Sequence, residues 1–389
     1  MLGRRRAGLE HPGQPHEEDN SMNIESIQVM RQSTPLHKPF KTALRTVHDQ
    51  ESILVRIRDR DGRVGWGEAP STIVITGDSL DSIESAIRLT FAPLLVGQSL
   101  LGYERMLQSV HGAMVGSSSA KAAVDMAIYD LVAQHCGLPL YQFLGGYKDR
   151  LETDFTVSVN SPKEMGEDAA SCVREGFNVL KIKVGKDDVQ EDIERIREIR
   201  SRVGGGVKIR LDANQGWQVK DAVRAIRRME DLGLDIELVE QPVKAHDIEG
   251  LKAVTDAVQT PIMADEAVFS PAEALRVLQM RAADLINIKL MKSGGIYKAQ
   301  LINGMAEQYG VECMVGSMIE SRVAVTAAAH LAASKKNITR FDFDAPLLLR
   351  SDIVDGGVRY DGRVMTFPDA PGLGIRDVRV AASPGAAVS

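Results

Sequence analysis

The feature that most constrains the fold is a regular alternation of short β-branched runs and longer helical stretches between Asp154 and Asp344. Eight runs have strand character, namely DFTVSV, NVLKIKV, VKIRLDA, DIELVE, PIMADE, DLINIKL, VECMV and NITRFDFD. Seven helical stretches separate them, at about 25–30 residues per strand–helix unit. Because eight parallel strands joined by helices close into a barrel, we predict an α/β barrel over residues 146–347, a modified TIM barrel of the (β/α)7β type.

An open, doubly wound sheet is the alternative arrangement of such units. That fold usually carries a glycine-rich phosphate turn after its first strand, and the corresponding segment TVSVNSPKEM contains no glycine. The sequence therefore favours the closed barrel.

The residues before the barrel predict an α+β capping domain over residues 22–145. Short alternating runs occupy residues 24–70, and the Asp-Gly step in DRDGRVGWG is typical of a hairpin turn. Helical periodicity follows in DSLDSIESAIRLTFAPLLVG and in SSSAKAAVDMAIYDLVAQHCG. We expect the irregular segment at about 348–380 to pack back on this domain.

The first 21 residues, MLGRRRAGLEHPGQPHEEDNS, are polar and rich in proline, glycine and charge. A signal peptide would show an apolar run after the arginines, and none follows. We predict a disordered extension or a tag, with the folded chain beginning near Met22.

The composition argues against several classes of partner. The formal net charge is -6 and the pI is about 5.8, so we expect neither nucleic acid nor an anionic membrane surface to bind. No run of about 18 apolar residues is present to cross a membrane. Cys136, Cys172 and Cys313 are far apart, and we predict reduced core thiols in a cytoplasmic protein.

Charged residues recur where the predicted barrel strands end, which is the face that carries function in this fold. The second to sixth strands end at Lys183, Asp212, Glu240, Asp265 and Lys289, which follow one another at intervals of 24–29 residues. Each interval equals one strand–helix unit. We therefore expect all five side chains to point into the same mouth of the barrel.

Three of these residues are carboxylates on adjacent strands, Asp212, Glu240 and Asp265. Three hard oxygen ligands with open positions suit Mg²⁺, which prefers octahedral oxygen and keeps room for substrate. A single acid would more often be a helix N-cap or a surface ion pair, and Asp212 before Ala-Asn-Gln-Gly fits that description. Three acids at consecutive strand ends favour a metal site.

The lysines predict the type of chemistry. Lys181 and Lys183 are two residues apart on one strand and share a face, so each should lower the pKa of the other towards that of a base. The alternative is that both are solvated loop lysines. Lys289 lies four strands away, hence opposite Lys183 in a ring of eight. Two bases on opposite faces of a carbon can remove a proton and return another from the other side, as a racemase or epimerase requires.

These residues lie in motifs that resemble the muconate-lactonising subgroup of the enolase superfamily, and within it the dipeptide epimerases. The matching segments are KIK, LDANQGW, VEQP, ADE and NIKLMKSGG, and the likeness runs from about Met22 to about Arg376. The resemblance implies Mg²⁺ held by the three carboxylates, and an enediolate formed when a proton leaves the carbon beside a carboxylate. It also implies that Lys183 and Lys289 serve alternately as acid and base.

The resemblance further implies the residues that bind a small-molecule dipeptide. Asp342 and Asp344 in FDFDAPL match the acidic pair that holds the dipeptide's ammonium group; the alternative is ordinary loop acids before Pro346. Capping loops HKPFKTALRT and PSTIVITGDS should close the mouth, with Arg45 reading an acidic substrate side chain, unless it is a surface arginine. Thr156, Lys181, Ser317 and Ile319 should line the pocket, although Thr156 also suits an ordinary strand residue and Ile319 simple packing. We expect a homo-oligomer.

Three other functions are compatible with parts of this pattern. An N-acylamino-acid racemase or an o-succinylbenzoate synthase of the same superfamily would not need Asp342 and Asp344. A barrel aldolase would use Lys183 or Lys289 as a Schiff base, detectable by borohydride trapping, and would leave the three acids unexplained. A non-enzymatic barrel would need none of these charges, and a metal titration distinguishes it.

Overall fold

The computed structural model describes residues 20–380, so most of the segment predicted as an extension or tag lies outside the described residues. A 3₁₀ turn, Asn20–Met22, precedes an antiparallel sheet of three strands, β1 (Ile24–Lys41), β2 (Thr46–Asp59) and β3 (Val64–Pro70). The predicted hairpin between β2 and β3 is present, and Gly62 adopts a φ of 83° in its turn. Glycine adopts this left-handed conformation without a steric penalty.

The helices of the capping domain cover one face of this sheet. They are α1 (Leu80–Ser85), α2 (Ala92–Leu95), α3 (Tyr103–Gly112), α4 (Ser118–His135) and α5 (Leu140–Phe143), with a π-helical turn at Ala86–Phe91 and a 3₁₀ turn at Leu100–Gly102. Helix α4 lies directly on β3. A Cβ atom added at Gly65 or Gly67 would lie 2.2 or 1.8 Å from a carbonyl oxygen of α4. The two glycines therefore allow the helix to approach the strand more closely than any side chain would permit.

The barrel follows after a short strand β4 (Arg150–Glu152). Its strands are β5 (Phe155–Val157), β6 (Val179–Lys183), β7 (Lys208–Asp212), β8 (Ile236–Glu240), β9 (Ile262–Ala264), β10 (Leu285–Ile288), β11 (Glu312–Gly316) and β12 (Ile338–Asp342). Its helices are α6 (Pro162–Arg174), α7 (Val189–Val203), α8 (Val219–Asp231), α9 (Ile248–Ala257), α10 (Pro271–Met280), α11 (Leu290–Ser293), α12 (Ile296–Gln308) and α13 (Arg322–Ser334). All eight strands are parallel and pair in sequence order. The predicted (β/α)7β barrel with a capping domain is confirmed.

The seam between the first and last barrel strands closes largely through side chains. Strand β5 has three residues, shorter than the run DFTVSV predicted. The backbone N–H of Asp154 donates to Phe341 at 3.2 Å, while the carboxylate of Asp344 accepts from the backbone N–H of Thr156 at 2.7 Å. At the barrel mouth, the carboxylate of Asp344 thus accepts a hydrogen bond that a backbone carbonyl of a neighbouring strand would otherwise accept.

The segment after the barrel contacts the capping domain. Leu36 pairs with Leu349, and the backbone N–H of Leu373 donates to the buried carboxylate of Asp130 on α4 at 2.9 Å. The segment is more regular than its sequence indicated. It contains a 3₁₀ turn at Ala345–Leu348 and the strands β13 (Val354–Gly356), β14 (Arg359–Asp361), β15 (Val364–Thr366) and β16 (Ile375–Val378).

The cysteine prediction holds for two of the three residues. Cys172 and Cys313 are buried free thiols, but Cys136 is exposed, because it lies just beyond the last turn of α4. Between residues 20 and 380, none of the helices combines the length and the apolar character that a membrane span requires.

Candidate active site

The candidate site is a pocket between the carboxyl ends of the barrel strands and the hairpin tip that joins β1 to β2. Nine of the predicted site residues line it: Arg45, Thr156, Lys181, Lys183, Lys289, Ser317, Ile319, Asp342 and Asp344. The capping domain contributes Phe40, Thr42, Leu44 and Ile75, from the two loops expected to cover the mouth. One pocket therefore collects predicted site residues that are up to 299 positions apart, from Arg45 to Asp344.

The three predicted metal ligands lie beneath the lysines. Asp212 and Glu240 end β7 and β8, and Asp265 directly follows β9, so adjacent strands present them side by side. Each residue is at most 1% exposed. Lys183 Nζ lies 2.6 Å from Asp212, and Lys289 Nζ lies 2.8 Å from Asp265.

Lys181 occupies the centre of this acidic cluster. Its Nζ atom lies 2.8 Å from Glu240, 3.2 Å from Asp212 and 2.8 Å from Asp342. Burial opposes the ammonium form, but these carboxylates outweigh it and raise the pKa of Lys181 well above its usual value. The expectation of a lowered pKa for Lys181 is wrong, because the carboxylates that raise this pKa come from other strands and their proximity cannot be read from the sequence.

The carboxylates respond to the same charges. Burial alone would raise the pKa of Asp212, but Lys183 and Lys181 lower it to about 2. Burial and the neighbouring Asp212 raise the pKa of Glu240 to about 7, against the opposing effect of Lys181. A further cation near Glu240 would therefore favour the ionised form of this carboxylate.

The donor chemistry of the cluster fits a divalent cation. Within residues 20–380, no three acidic, histidine or cysteine residues form a ready ligand set, because lysine ammonium groups lie between the carboxylates. The oxygens of Asp212 and Glu240 nonetheless converge on one cation, the ammonium of Lys181, while Asp265 pairs with the ammonium groups of Lys289 and Lys292. Three hard carboxylate oxygens are the donor type that Mg²⁺ prefers.

Lys183 and Lys289 approach the pocket from opposite sides. Lys183 ends β6 and Lys289 follows β10, and three strands lie between these two in the sheet order. Four steps in a ring of eight strands equal half its circumference. The ring of Phe40 lies 5.8 Å from Lys183 Nζ, so the hairpin tip covers this lysine directly.

An acidic pair lies at the barrel seam. Asp342 pairs with Lys181, and Asp344 accepts a hydrogen bond from the backbone of Thr156. Burial and the negative charge of Asp342 raise the pKa of Asp344 to about 7. A second cation near Asp344 would favour its ionised form, so the pair is suited to an ammonium group.

Arg45 is the cationic counterpart on the capping side. No carboxylate in the described part of the chain lies within 4.0 Å of its guanidinium group, and burial lowers its pKa. The turn that presents it is fixed by Thr42, whose Oγ1 accepts from the backbone N–H of Arg45 at 3.3 Å and of Leu44 at 3.1 Å. A half-buried arginine that faces a pocket without a carboxylate partner is arranged to bind an anion.

Four residues that support the site were not predicted from the sequence: Asn214, Gln241, Asn287 and Lys292. Asn214 lines the pocket, and the other three contact the carboxylates or their backbone. The Oε1 atom of Gln241 accepts from the backbone N–H groups of Asp265 at 2.9 Å and Ala267 at 3.1 Å. All four lie within the motifs LDANQGW, VEQP and NIKLMKSGG, but only their contacts across strands reveal what they hold.

Comparison with known proteins identifies the class. Residues 164–377 match the family described as "Enolase C-terminal domain-like", and residues 24–145 match the mandelate racemase / muconate lactonizing enzyme N-terminal domain. The chain therefore belongs to the enolase superfamily, and it is an isomerase of the epimerase type. The resemblance predicted from the motifs is confirmed.

Individual relatives show which epimerases this chain is similar to. The L-Ala-D/L-Glu epimerase of Bacillus subtilis (strain 168) is 64% identical over 354 residues, which cover 91% of this chain and 97% of that protein. A substrate-liganded structure of the Bacillus subtilis epimerase superposes with a TM-score of 0.92 at 63% identity, covering 92% of this chain and all of that one. The dipeptide epimerase from Enterococcus faecalis V583, complexed with Mg and the dipeptide L-Leu-L-Tyr, has a TM-score of 0.88 at 44% identity, covering 91% and 99%.

Proposed function

We propose that this protein is a Mg²⁺-dependent dipeptide epimerase that inverts the α-carbon of the glutamate residue in L-Ala-L-Glu and L-Ala-D-Glu. One observation carries the proposal: a single pocket contains two opposed lysines, an acidic pair and an arginine without a carboxylate partner. The relatives with this specificity in their names support the same substrate.

Recognition depends on charge at both ends of the dipeptide. Asp342 and Asp344 bind the ammonium group of the N-terminal residue, and the guanidinium of Arg45 binds the side-chain carboxylate of glutamate. Held at both ends, the dipeptide places its reacting carbon between the two barrel lysines. Phe40 and Ile75 from the capping loops exclude water from that carbon.

The two lysines then move the proton. The amine of one lysine removes the α-proton from one face, and the ammonium of the other returns a proton from the opposite face. Asp212, Glu240 and Asp265 would hold Mg²⁺. When bound, Mg²⁺ supplies positive charge that stabilises negative charge on the substrate's terminal carboxylate and competes with lysine ammonium groups for the three carboxylates.

The direct test is incubation of the purified protein with L-Ala-L-Glu and MgCl₂ in D₂O. We expect L-Ala-D-Glu to appear and to carry one deuterium at the α-carbon, measured by chromatography and mass spectrometry. N-acetyl-glutamate is the control substrate, because it retains the carboxylates and lacks the ammonium group. Turnover of the acetylated substrate without turnover of the dipeptide would favour an N-acylamino-acid racemase.

Replacement of Arg45 by alanine tests the assignment of the substrate side chain. We expect kcat/KM for L-Ala-L-Glu to fall about 10- to 1000-fold, the range of a lost charge-assisted pair. A dipeptide that ends in leucine should be hardly affected, because it makes no use of the guanidinium. The test is steady-state kinetics of Arg45→Ala with both dipeptides. Arg60→Ala, in the exposed β2–β3 turn, is the control. Equal losses for both dipeptides would show that Arg45 only supports the loop.

Neutralising the acidic pair tests the recognition of the ammonium group. In the double variant Asp342→Asn, Asp344→Asn we expect dipeptide binding to weaken by about 1.5–3 kcal/mol, roughly 10- to 100-fold in KM. An N-acetylated dipeptide should be a poor substrate for the wild type. Its binding should weaken by a smaller factor than that of the free dipeptide in the double variant. Asp361→Asn, on an exposed strand, is the matched control. A parallel loss for both substrates would assign the pair a structural role at the barrel seam.

A further inference from the structure

Each of the three carboxylates assigned to the metal, Asp212, Glu240 and Asp265, has one oxygen held by the chain and the other directed at a pocket lysine. In Asp212, Oδ1 accepts from the backbone N–H of Asn214 at 2.9 Å, while Oδ2 lies 2.6 Å from Lys183 Nζ. The donor here is a backbone group, so the turn after β7 imposes this arrangement. Asn214 adopts a φ of 41° in that turn, an uncommon conformation that the surrounding contacts must stabilise.

Glu240 shows the same division between its oxygens. Its Oε1 atom accepts from Nδ2 of Asn287 at 2.7 Å, and its Oε2 atom lies 2.8 Å from Lys181 Nζ. Asn287 lies within β10 and is fully buried. The reverse amide orientation would place two oxygens against each other, so Asn287 must act as the donor.

Asp265 is held in the same way by a buried ammonium group. Lys292 Nζ lies 2.5 Å from Oδ1, and Lys289 Nζ lies 2.8 Å from Oδ2. The contact with Oδ1 is an ion pair, while the hydrogen bonds of Lys292 go to the carbonyl oxygens of Asp265 and Asn287. Lys292 is 2% exposed and does not line the pocket, so it supports the site from below and does not face the substrate.

We propose that Asn287 and Lys292 are positioning residues that restrict Glu240 and Asp265 to one metal-binding oxygen each, and that this restriction selects Mg²⁺ against Ca²⁺. Mg²⁺ requires six ligands in near-ideal octahedral geometry, whereas Ca²⁺ accepts six to eight and often takes both oxygens of a carboxylate. A site whose carboxylates each offer one oxygen therefore disfavours the larger ion. The inference rests on the proposed function, because it takes the three carboxylates as the metal ligands.

Isothermal titration calorimetry of the metal-free, full-length protein with MgCl₂ and with CaCl₂ tests the inference without any assay of turnover. The informative quantity is the ratio of Kd for Ca²⁺ to Kd for Mg²⁺. Lys292→Met removes a positive charge, which strengthens binding of both ions, but this effect cancels in the ratio. We expect the ratio to fall about tenfold, at the lower end of the effect of residues that orient metal ligands.

Asn287→Leu is the second variant, because it frees Oε1 of Glu240 without changing the charge. In Asn287→Leu the ratio of Kd for Ca²⁺ to Kd for Mg²⁺ should also fall. This variant tests the inference on its own if Lys292→Met does not fold. Lys298→Met, on α12 and outside the pocket, is the matched control and should keep the wild-type ratio. A ratio within about twofold of wild type in the folded variants overturns the inference. A shifted ratio without epimerisation by the wild type would instead contradict the proposed function alone.

Discussion

Replacing either Lys183 or Lys289 by alanine is expected to abolish measurable epimerisation of L-Ala-L-Glu. Inversion needs one base to remove the α-proton and one acid on the opposite face to return a proton, so neither lysine can replace the other. A positioned acid or base typically contributes about 10²- to 10⁴-fold to the rate. Both lysines are at most 6% exposed, which leaves little room for water to substitute for the missing side chain.

Exchange of the α-proton with solvent should separate the two lysines. Each variant retains a base on one face, so it should still exchange the α-proton of one epimer with D₂O without inverting that carbon. We expect the two variants to differ in which epimer they exchange. Mass spectrometry of L-Ala-L-Glu and L-Ala-D-Glu after incubation in D₂O measures this directly.

Lys186→Ala is the matched control, because Lys186 follows the same strand and its side chain is exposed. It should epimerise at the wild-type rate. Epimerisation at the wild-type rate by Lys183→Ala or Lys289→Ala would contradict the two-base assignment. A Schiff-base aldolase would also lose activity in one variant, but it would show no exchange of a single epimer.

The barrel and the position of its mouth could be predicted because both depend on periodicity along the chain. From the second to the sixth barrel strand, a charged residue recurs at the strand end every 24–29 residues, in step with the strand–helix unit. Once the strands are parallel and in sequence order, residues such as Asp212 and Glu240 must become neighbours. The prediction of a common mouth for the charged residues therefore required no knowledge of side-chain contacts.

Interactions between strands could not be predicted in the same way. Lys181 and Lys183 are near each other in sequence, so their repulsion was visible, but the attraction of Lys181 to Glu240 and Asp342 depends on the closed barrel. The predicted direction of the pKa shift of Lys181 was therefore wrong. Asn287 has no distinctive sequence signal, because buried asparagines occur in many strands and only its bond to Glu240 gives it a role.

Removal of the divalent metal is expected to eliminate epimerisation, and Asp212→Asn should do nearly the same in the presence of MgCl₂. The α-proton beside a carboxylate is weakly acidic, so its removal depends on positive charge that stabilises the resulting anion. Asparagine keeps the size of the side chain but loses the negative charge that a hard cation requires. We expect turnover to fall by at least about 10²-fold, the scale of one lost electrostatic contribution to the transition state.

Stability must be measured alongside activity, because Asp212 also pairs with Lys183 and Lys181. Breaking a buried ion pair by removing one partner can cost about 3–5 kcal/mol, although Glu240 and Asp342 still compensate Lys181 here. The variant should therefore melt at a lower temperature and yet remain folded in the assay, as circular dichroism would show. Asp231→Asn, at the exposed end of α8, is the matched control.

Chelation of the metal and its readdition then separate an effect of metal loss on activity from an effect of unfolding. Exhaustive treatment with EDTA should abolish the activity of the wild type while its circular dichroism spectrum is retained, because Lys181 still compensates Asp212 and Glu240, and Lys289 still compensates Asp265. Readdition of MgCl₂ should restore activity in the wild type and not in Asp212→Asn. Full activity after chelation would show that Asp212, Glu240 and Asp265 compensate buried lysines and do not hold a catalytic metal.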